Sequence, residues 1–183
     1  MKSRILGAAV AAVLGFAIAV ASADVMVGGS AMLPQRNIVE NAVNSQEHTT
    51  LVAAVKAAGL VDTLESKGPF TVFAPVNAAF GALPAGTVDT LLQPENKASL
   101  TKVLTYHVVP GRYTYSDLDR LISKGKGAAT LTTASGGKLW AMKNGDHNIT
   151  VKDETGAVAD ITVYDVMQSN GVIHSIDRVL MPK

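Results

Sequence analysis

The sequence predicts a single α+β domain, on three observations. Apolar residues recur at helical spacing through most of the stretch from Asn37 to Leu104. From Gly127 onward, short β-branched runs are separated by turn dipeptides such as Asn144-Gly145 and Asn170-Gly171. Helices followed by antiparallel strands, rather than alternating with them, define that class. The chain has no cysteine, so the fold must stand on its core, without disulfides or thiolate-bound zinc.

Residues 1–23 read as a signal peptide. Lys2 and Arg4 supply the positive start, Ile5 to Val20 the apolar run, and Ala21-Ser22-Ala23 the small-residue cleavage site. Cutting between Ala23 and Asp24 leaves an exported protein, secreted or periplasmic, with no direct membrane anchor. The full chain carries 16 basic and 15 acidic residues, and Lys2 and Arg4 leave with the leader. The mature charge is then slightly negative and dispersed, which argues against nucleic acid and against a polybasic membrane patch. The lack of cysteine in an exported chain points to a bacterial type of export.

The elements follow in order. Residues 24–36 contain Gly28-Gly29-Ser30 and Pro34 without periodicity and read as a flexible N-terminal tail. The domain proper is expected over 37–183, with no linker inside it. Ile38, Val39, Ala42 and Val43 mark a first helix; Leu51, Val52, Val55 and Ala58 mark a second, stopped by Gly59. Phe70 to Ala74 is a buried strand closed by Pro75, and Asn77 is placed to cap a following short helix with Phe80 on its inner face. Further helical pieces are expected at Asn77–Leu83 and Thr87–Leu92. Pro94 suits a helix start, and Leu100, Val103 and Leu104 form the buried stripe after it. Tyr106 to Val109 reads as a strand and Pro110-Gly111 as a turn. Ser116 is placed to cap a helix bearing Leu118, Leu121 and Ile122. Strands are then expected at Ala129–Thr133, Lys138–Lys143, Ile149–Lys152, Val158–Met167 and Val172–Ile176.

Three segments resemble the signatures of the fasciclin-domain family. They are Thr71-Val72-Phe73-Ala74-Pro75-Val76-Asn77-Ala78-Ala79-Phe80, then Tyr106-His107-Val108-Val109-Pro110-Gly111, then Asp165 to Pro182 with its Asn170-Gly171-Val172-Ile173-His174 core. They occur in the family's order and span nearly the whole mature chain. Val76 stands where the family often has Thr, and Val166 where it often has Ile. The resemblance implies a wedge of two β-sheets with several helices packed along one side. It also implies a non-catalytic module for protein-protein or cell-surface adhesion. The partner would be another protein or a surface glycan, and the module a monomer or weak homodimer. Asn77, Tyr106, His107, Asp165, Asn170 and His174 are the motif residues carried forward as candidates for interaction.

Read from their chemistry, His107 and His174 are expected to be core histidines with satisfied ring nitrogens, and Tyr106 to have its hydroxyl tied to the backbone. Asn170-Gly171 is expected to be a turn in which glycine takes a positive φ. No catalytic residues, cofactor or metal site are assigned. His48, His107, His147 and His174 form no H-x-x-x-H or H-x-H pair, and no Gly-x-Ser-x-Gly, phosphate loop or dinucleotide fingerprint is present. Asp153-Glu154-Thr155-Gly156 lacks calcium-loop spacing and reads as a turn, and Asn148-Ile149-Thr150 is a glycosylation sequon. Leu139 and Ala141 alternate with Trp140 and Met142. The expectation is that Trp140 and Met142 help fill the core, an exposed contact patch being the alternative. Two other functions remain open: a periplasmic small-ligand carrier, which would need a concave apolar pocket, and an envelope hydrolase.

Overall fold

Two strands in the middle of the molecule divide it into two cores. The computed structural model describes residues 25–183; the leader expected at 1–23 lies outside the described residues. The chain opens with a hairpin, β1 (Val25–Val27) and β2 (Ser30–Met32). Helices α1 (Ile38–Ala42), α2 (Thr49–Ala58) and α3 (Val61–Glu65) follow, then strand β3 (Phe70–Pro75). Next come α4 (Asn77–Gly81), α5 (Thr87–Leu91), a 3-10 turn at Pro94–Asn96, and α6 (Lys97–Tyr106). Strand β4 (Val108–Pro110) leads into α7 (Tyr115–Lys124). The chain ends with β5 (Ala128–Thr132), β6 (Lys138–Asn144), β7 (Asn148–Lys152), β8 (Val158–Gln168) and β9 (Gly171–Ile176).

The α+β class is as expected. The two sheets of the wedge are continuous, because β8 spans both: it pairs with β7 through Val158–Asp160 and with β9 through Ile161–Gln168. The strand order is β4-β3-β9-β8-β7-β6-β5, with only the β3–β9 pair parallel. The N–H of Ala134, just after β5, donates to the Val108 carbonyl on β4 at 2.7 Å, so the two ends of the sheet approach each other. This near-closure shields edges that would otherwise pair with other chains.

Alternation along β3 and β9 creates the two cores. Val72, Ala74 and Ile173 join a core with Leu51, Val55, Leu64, Leu100 and Leu104 of the helices. Phe73 and Ile176 join the other, with Leu118 and Ile122 of α7 and the inward residues of β5–β8. Strands β5 and β6 alternate: Leu139 and Ala141 are fully buried, while Trp140 and Met142 are half-buried on the outer face. Trp140 and Met142 therefore do not fill the core. The smaller pair takes the inward register because the concave side is already occupied by α7 and its neighbours.

Four local expectations change. Residues 25–36, expected as part of a flexible tail over 24–36, do not form one, since β1 pairs with β2 and places Val27 and Met32 in the helical core. Strands of three residues with one buried side chain each are too short to show periodicity. Tyr106 belongs to α6 and His107 caps that helix, its ring nitrogen Nδ1 lying 2.8 Å from the Val103 carbonyl. The helix thus overrides the β-branched run beyond it, because the imidazole satisfies a terminal carbonyl. Helix α7 is capped by Thr114, in a capping box with Asp117, rather than by Ser116. Gly171 is required by crowding, not by a positive φ: a Cβ there would sit 2.3 Å from the Phe70 carbonyl oxygen.

Candidate interaction surface

The motif residues are chiefly ties between segments. Asn77 does not cap its own helix, whose N-cap is Val76. Its Oδ1 instead accepts from the Thr50 N–H at 3.0 Å and the Thr49 hydroxyl at 3.2 Å, and its Nδ2 donates to the Gln46 carbonyl at 2.9 Å. Asn77 therefore caps the start of α2, which lacks a side-chain cap from His48, from across the fold. Asn170 is similar: its Oδ1 accepts from the Ile38 N–H at 3.0 Å, and its Nδ2 donates to the carbonyls of Leu64 and Ser66 at 2.7 and 2.8 Å. One amide thus holds the start of α1 and the end of α3 next to β9.

The Tyr106-His107 pair joins α6 to the C-terminus. The Tyr106 hydroxyl donates to the Lys138 carbonyl at 2.7 Å and accepts from the Glu154 N–H at 3.0 Å. Burial pushes its phenol up to about 12. His107 Nε2 accepts from the Leu180 N–H at 2.9 Å, so Nδ1 carries the proton given to Val103. The ring is neutral, and burial lowers its pKa to about 4. Asp153, also buried, receives N–H groups from Thr155, Ala157 and Met181, which fixes the turn and the chain end.

His174 and Asp165 organise a surface of tyrosines. Asp165 has φ 55° at an irregularity where the β8–β9 register shifts, a conformation to which aspartate is better suited than most residues. Its N–H donates to His174 Nδ1 at 3.3 Å, and its Oδ1 accepts from the Tyr115 N–H at 2.7 Å. His174 Nε2 then donates to the Tyr113 carbonyl at 2.8 Å. The Thr71 hydroxyl accepts from the Tyr113 N–H at 2.9 Å, so the β4–α7 loop is held from three directions. Burial lowers the His174 pKa, and the ring stacks on Phe73 at 5.8 Å between centroids. Around these fixed points lie the half-buried Tyr113, Tyr115 and Tyr164, with Tyr115 edge-on to Tyr164 at 5.2 Å. The structure brings His174 and Asp165 together; Asn77, Asn170 and the Tyr106-His107 pair lie in separate tethers.

Neither His107 nor His174 has a ring nitrogen left for proton transfer. Among the described residues, no three His, Asp or Glu side chains converge to hold a metal ion. Sequence reasoning missed the tyrosines, which are spaced at 113, 115 and 164 and signal nothing until the loop and β8 meet. It also missed a cavity of about 100 Å³ in the helical core, walled almost entirely by aliphatic side chains.

This architecture has known relatives. The family model described as the fasciclin domain matches residues 46–182, and the chain belongs to the fasciclin-domain family. It is 48% identical to Protein sll1483 of Synechocystis over 145 residues, 79% of this chain and 73% of that protein. It is 37% identical to Immunogenic protein MPB70 of Mycobacterium bovis over 155 residues, 82% of this chain and 71% of that protein. Transforming growth factor-beta-induced protein ig-h3 of Sus scrofa is 36% identical over 149 residues, 81% of this chain but 20% of that larger protein. Among solved structures, a FAS1 domain pair from the insect cell adhesion molecule fasciclin I superimposes with a TM-score of 0.71 at 19% identity. That match covers 81% of this chain and 51% of the pair, about half its length. Among the described residues, no helix is long and apolar enough to cross a membrane.

Proposed function

We propose that this domain is an exported, non-catalytic interaction module that binds a protein or a surface glycan through its tyrosine surface. One observation carries the reading: the motif histidine His174 and Asp165, bonded to each other, also bond the backbone of Tyr113 and Tyr115. Polar groups used in this way prepare a surface rather than a reaction. Tyrosines with one edge exposed supply contact area at low entropy cost, and they are enriched at the centres of interfaces. The adhesion role of fasciclin I supports the same reading, as does the outward Trp140 and Met142 pair on β6. In this reading His174 and Asp165 position the surface, and the three tyrosines make the contact. The protein acts in the periplasm or outside the cell, as a monomer or weak homodimer.

Immobilised protein should retain a specific component of the source organism's envelope or culture fluid, which a denatured copy does not. The double variant Tyr113→Ser/Tyr115→Ser should keep its circular dichroism spectrum and lose that component. Retention unchanged by the double variant would rule out the tyrosine surface. No retention at micromolar bait would rule out the adhesion reading itself.

A further inference from the structure

The helical core holds a space that the adhesion reading does not use. Helices α1, α2, α3 and α6 lie over β3 and β9 and enclose a cavity of about 100 Å³. Native interiors seldom keep a void much larger than a water molecule. The wall is made by buried aliphatic side chains such as Ile38, Leu51, Val55, Leu64 and Ile173. Its buried polar side chains already have partners. Ser45 Oγ lies 2.8 Å from His48 Nδ1, His48 Nε2 faces Ser175 Oγ at 3.4 Å, and His107 is bonded through both nitrogens. Water entering such a space would find too few free partners, so the cavity suits an apolar occupant.

The rim specifies more. Half-buried Val39, Val52, Leu60 and Val61 border the cavity, and one charged residue, the exposed Lys56 on α2, lines it. Lys56 forms no ion pair among the described residues. Apolar walls lined at one point by a lysine that has no ion pair match a molecule with an apolar chain and an anionic head. An apolar cavity of ~150 Å³ admits benzene, so this one takes a chain of about four to six carbons.

We infer that the domain binds a short-chain carboxylate, with its alkyl chain between the helices and the sheet and its carboxylate at Lys56. This site is remote in kind from the tyrosine surface: it faces the other core, and neither depends on the other. The domain would then carry or sense an acyl compound while docking elsewhere.

The test uses the protein with methyl-selective NMR and thermal melting, and three probes of equal chain length: hexanoate, hexanol and hexylammonium. Hexanoate is expected to shift the methyl resonances of Leu51, Val55 and Ile173 and to raise Tm. Hexanol should bind roughly fivefold more weakly, since an exposed ion pair contributes up to about that factor. Hexylammonium should be weaker still. Lys56→Gln should reduce hexanoate to the affinity of hexanol and leave hexanol unchanged. Val55→Phe should fill the space and abolish both. If it does not fold, Leu51→Met serves, with altered affinity for both probes expected. No methyl shift with millimolar hexanoate and hexanol would overturn the site. Equal binding of the three probes, or indifference to Lys56→Gln, would overturn the carboxylate assignment.

Discussion

On the sheet side of β3 and β9, Phe73, Leu139 and Leu180 have no solvent exposure and Ile149 has 1%, whereas on the helical side Leu51, Val55 and Leu64 keep 7–8% and border the cavity. Every one of the largest fully buried aliphatic and aromatic side chains belongs to the sheet-side core. The same two strands supply both faces, so the difference comes from what packs on them. Strands β5–β8 are fixed by ladder hydrogen bonds in a strict inward register around α7, which leaves little room for adjustment. The helices on the other face are short, and single side chains such as Asn77 and Asn170 hold their ends. The cavity lies between these tethered helices and the sheet. Leaving about 100 Å³ empty costs about 2 kcal/mol at the rate found for engineered cavities.

Truncation tests the contrast most strongly. Leu139→Ala removes a side chain in contact on all sides and should cost about 4 kcal/mol, near the upper end for such changes. Leu51→Ala removes one that already faces the void and has fewer dispersion contacts to lose, so about 2.5 kcal/mol is expected. Urea unfolding of both variants measures the gap. Equal losses would mean that the helical core is no looser than the sheet core.

Acid should act through the tethers. His107 is neutral in the fold, with its pKa lowered to about 4, while the unfolded chain takes up a proton near the ordinary value of 6.5. Its stabilising effect is therefore complete above pH 6.5 and is lost as pH falls toward 4. The loss from this residue alone is about 3 kcal/mol. The lowered pKa values of His174 and His48 act in the same direction. Stability measured from pH 7 to pH 4 should fall, and the slope should be shallower in His107→Gln. An unchanged slope in that variant would show that another group governs the acid response.

Adding one methylene separates the two cores more gently. Val55→Ile extends into the cavity and should stabilise by about 0.5 kcal/mol. The same change at the fully buried Val151 should cost about 1 kcal/mol, because no space receives it. Melting curves that move in the same direction for both variants would remove the distinction.

The division between the cores also marks what the sequence revealed. Helix α2 with its Gly59 stop, β3 ending at Pro75, and the hairpin at Asn144-Gly145 were legible because each carries its own local signal. The β1–β2 hairpin was not, since its strands are three residues long. The satisfied state of His107 and His174 could be inferred from their apolar neighbours. Most of their partners could not, because Leu180, Asp165 and Tyr113 contribute backbone groups that only the tertiary fold brings near, whereas Val103 lies one helical turn before His107. The tyrosine surface and the cavity were illegible for the same reason: each is a property of how elements meet.

Asn77 gives the most pointed test of the tethering idea. Its place in the sequence suits a cap of its own helix, and in that role its loss would loosen α4. In the fold it caps α2 instead, through the N–H of Thr50 and the hydroxyl of Thr49. Asn77→Ala should cost about 1 kcal/mol, the usual loss for a helix cap. The site of the damage is more telling than its size. Amide exchange should accelerate at the start of α2, near Thr50, and not within α4. Asn77→Asp keeps the accepting oxygen and should recover most of the protection at Thr50, while the bond to the Gln46 carbonyl stays lost. Because α2 forms one wall of the cavity, the same Asn77→Ala variant should also admit hexanoate faster. Exchange that rises in α4 instead would return Asn77 to the local role and leave the helical layer held by packing alone.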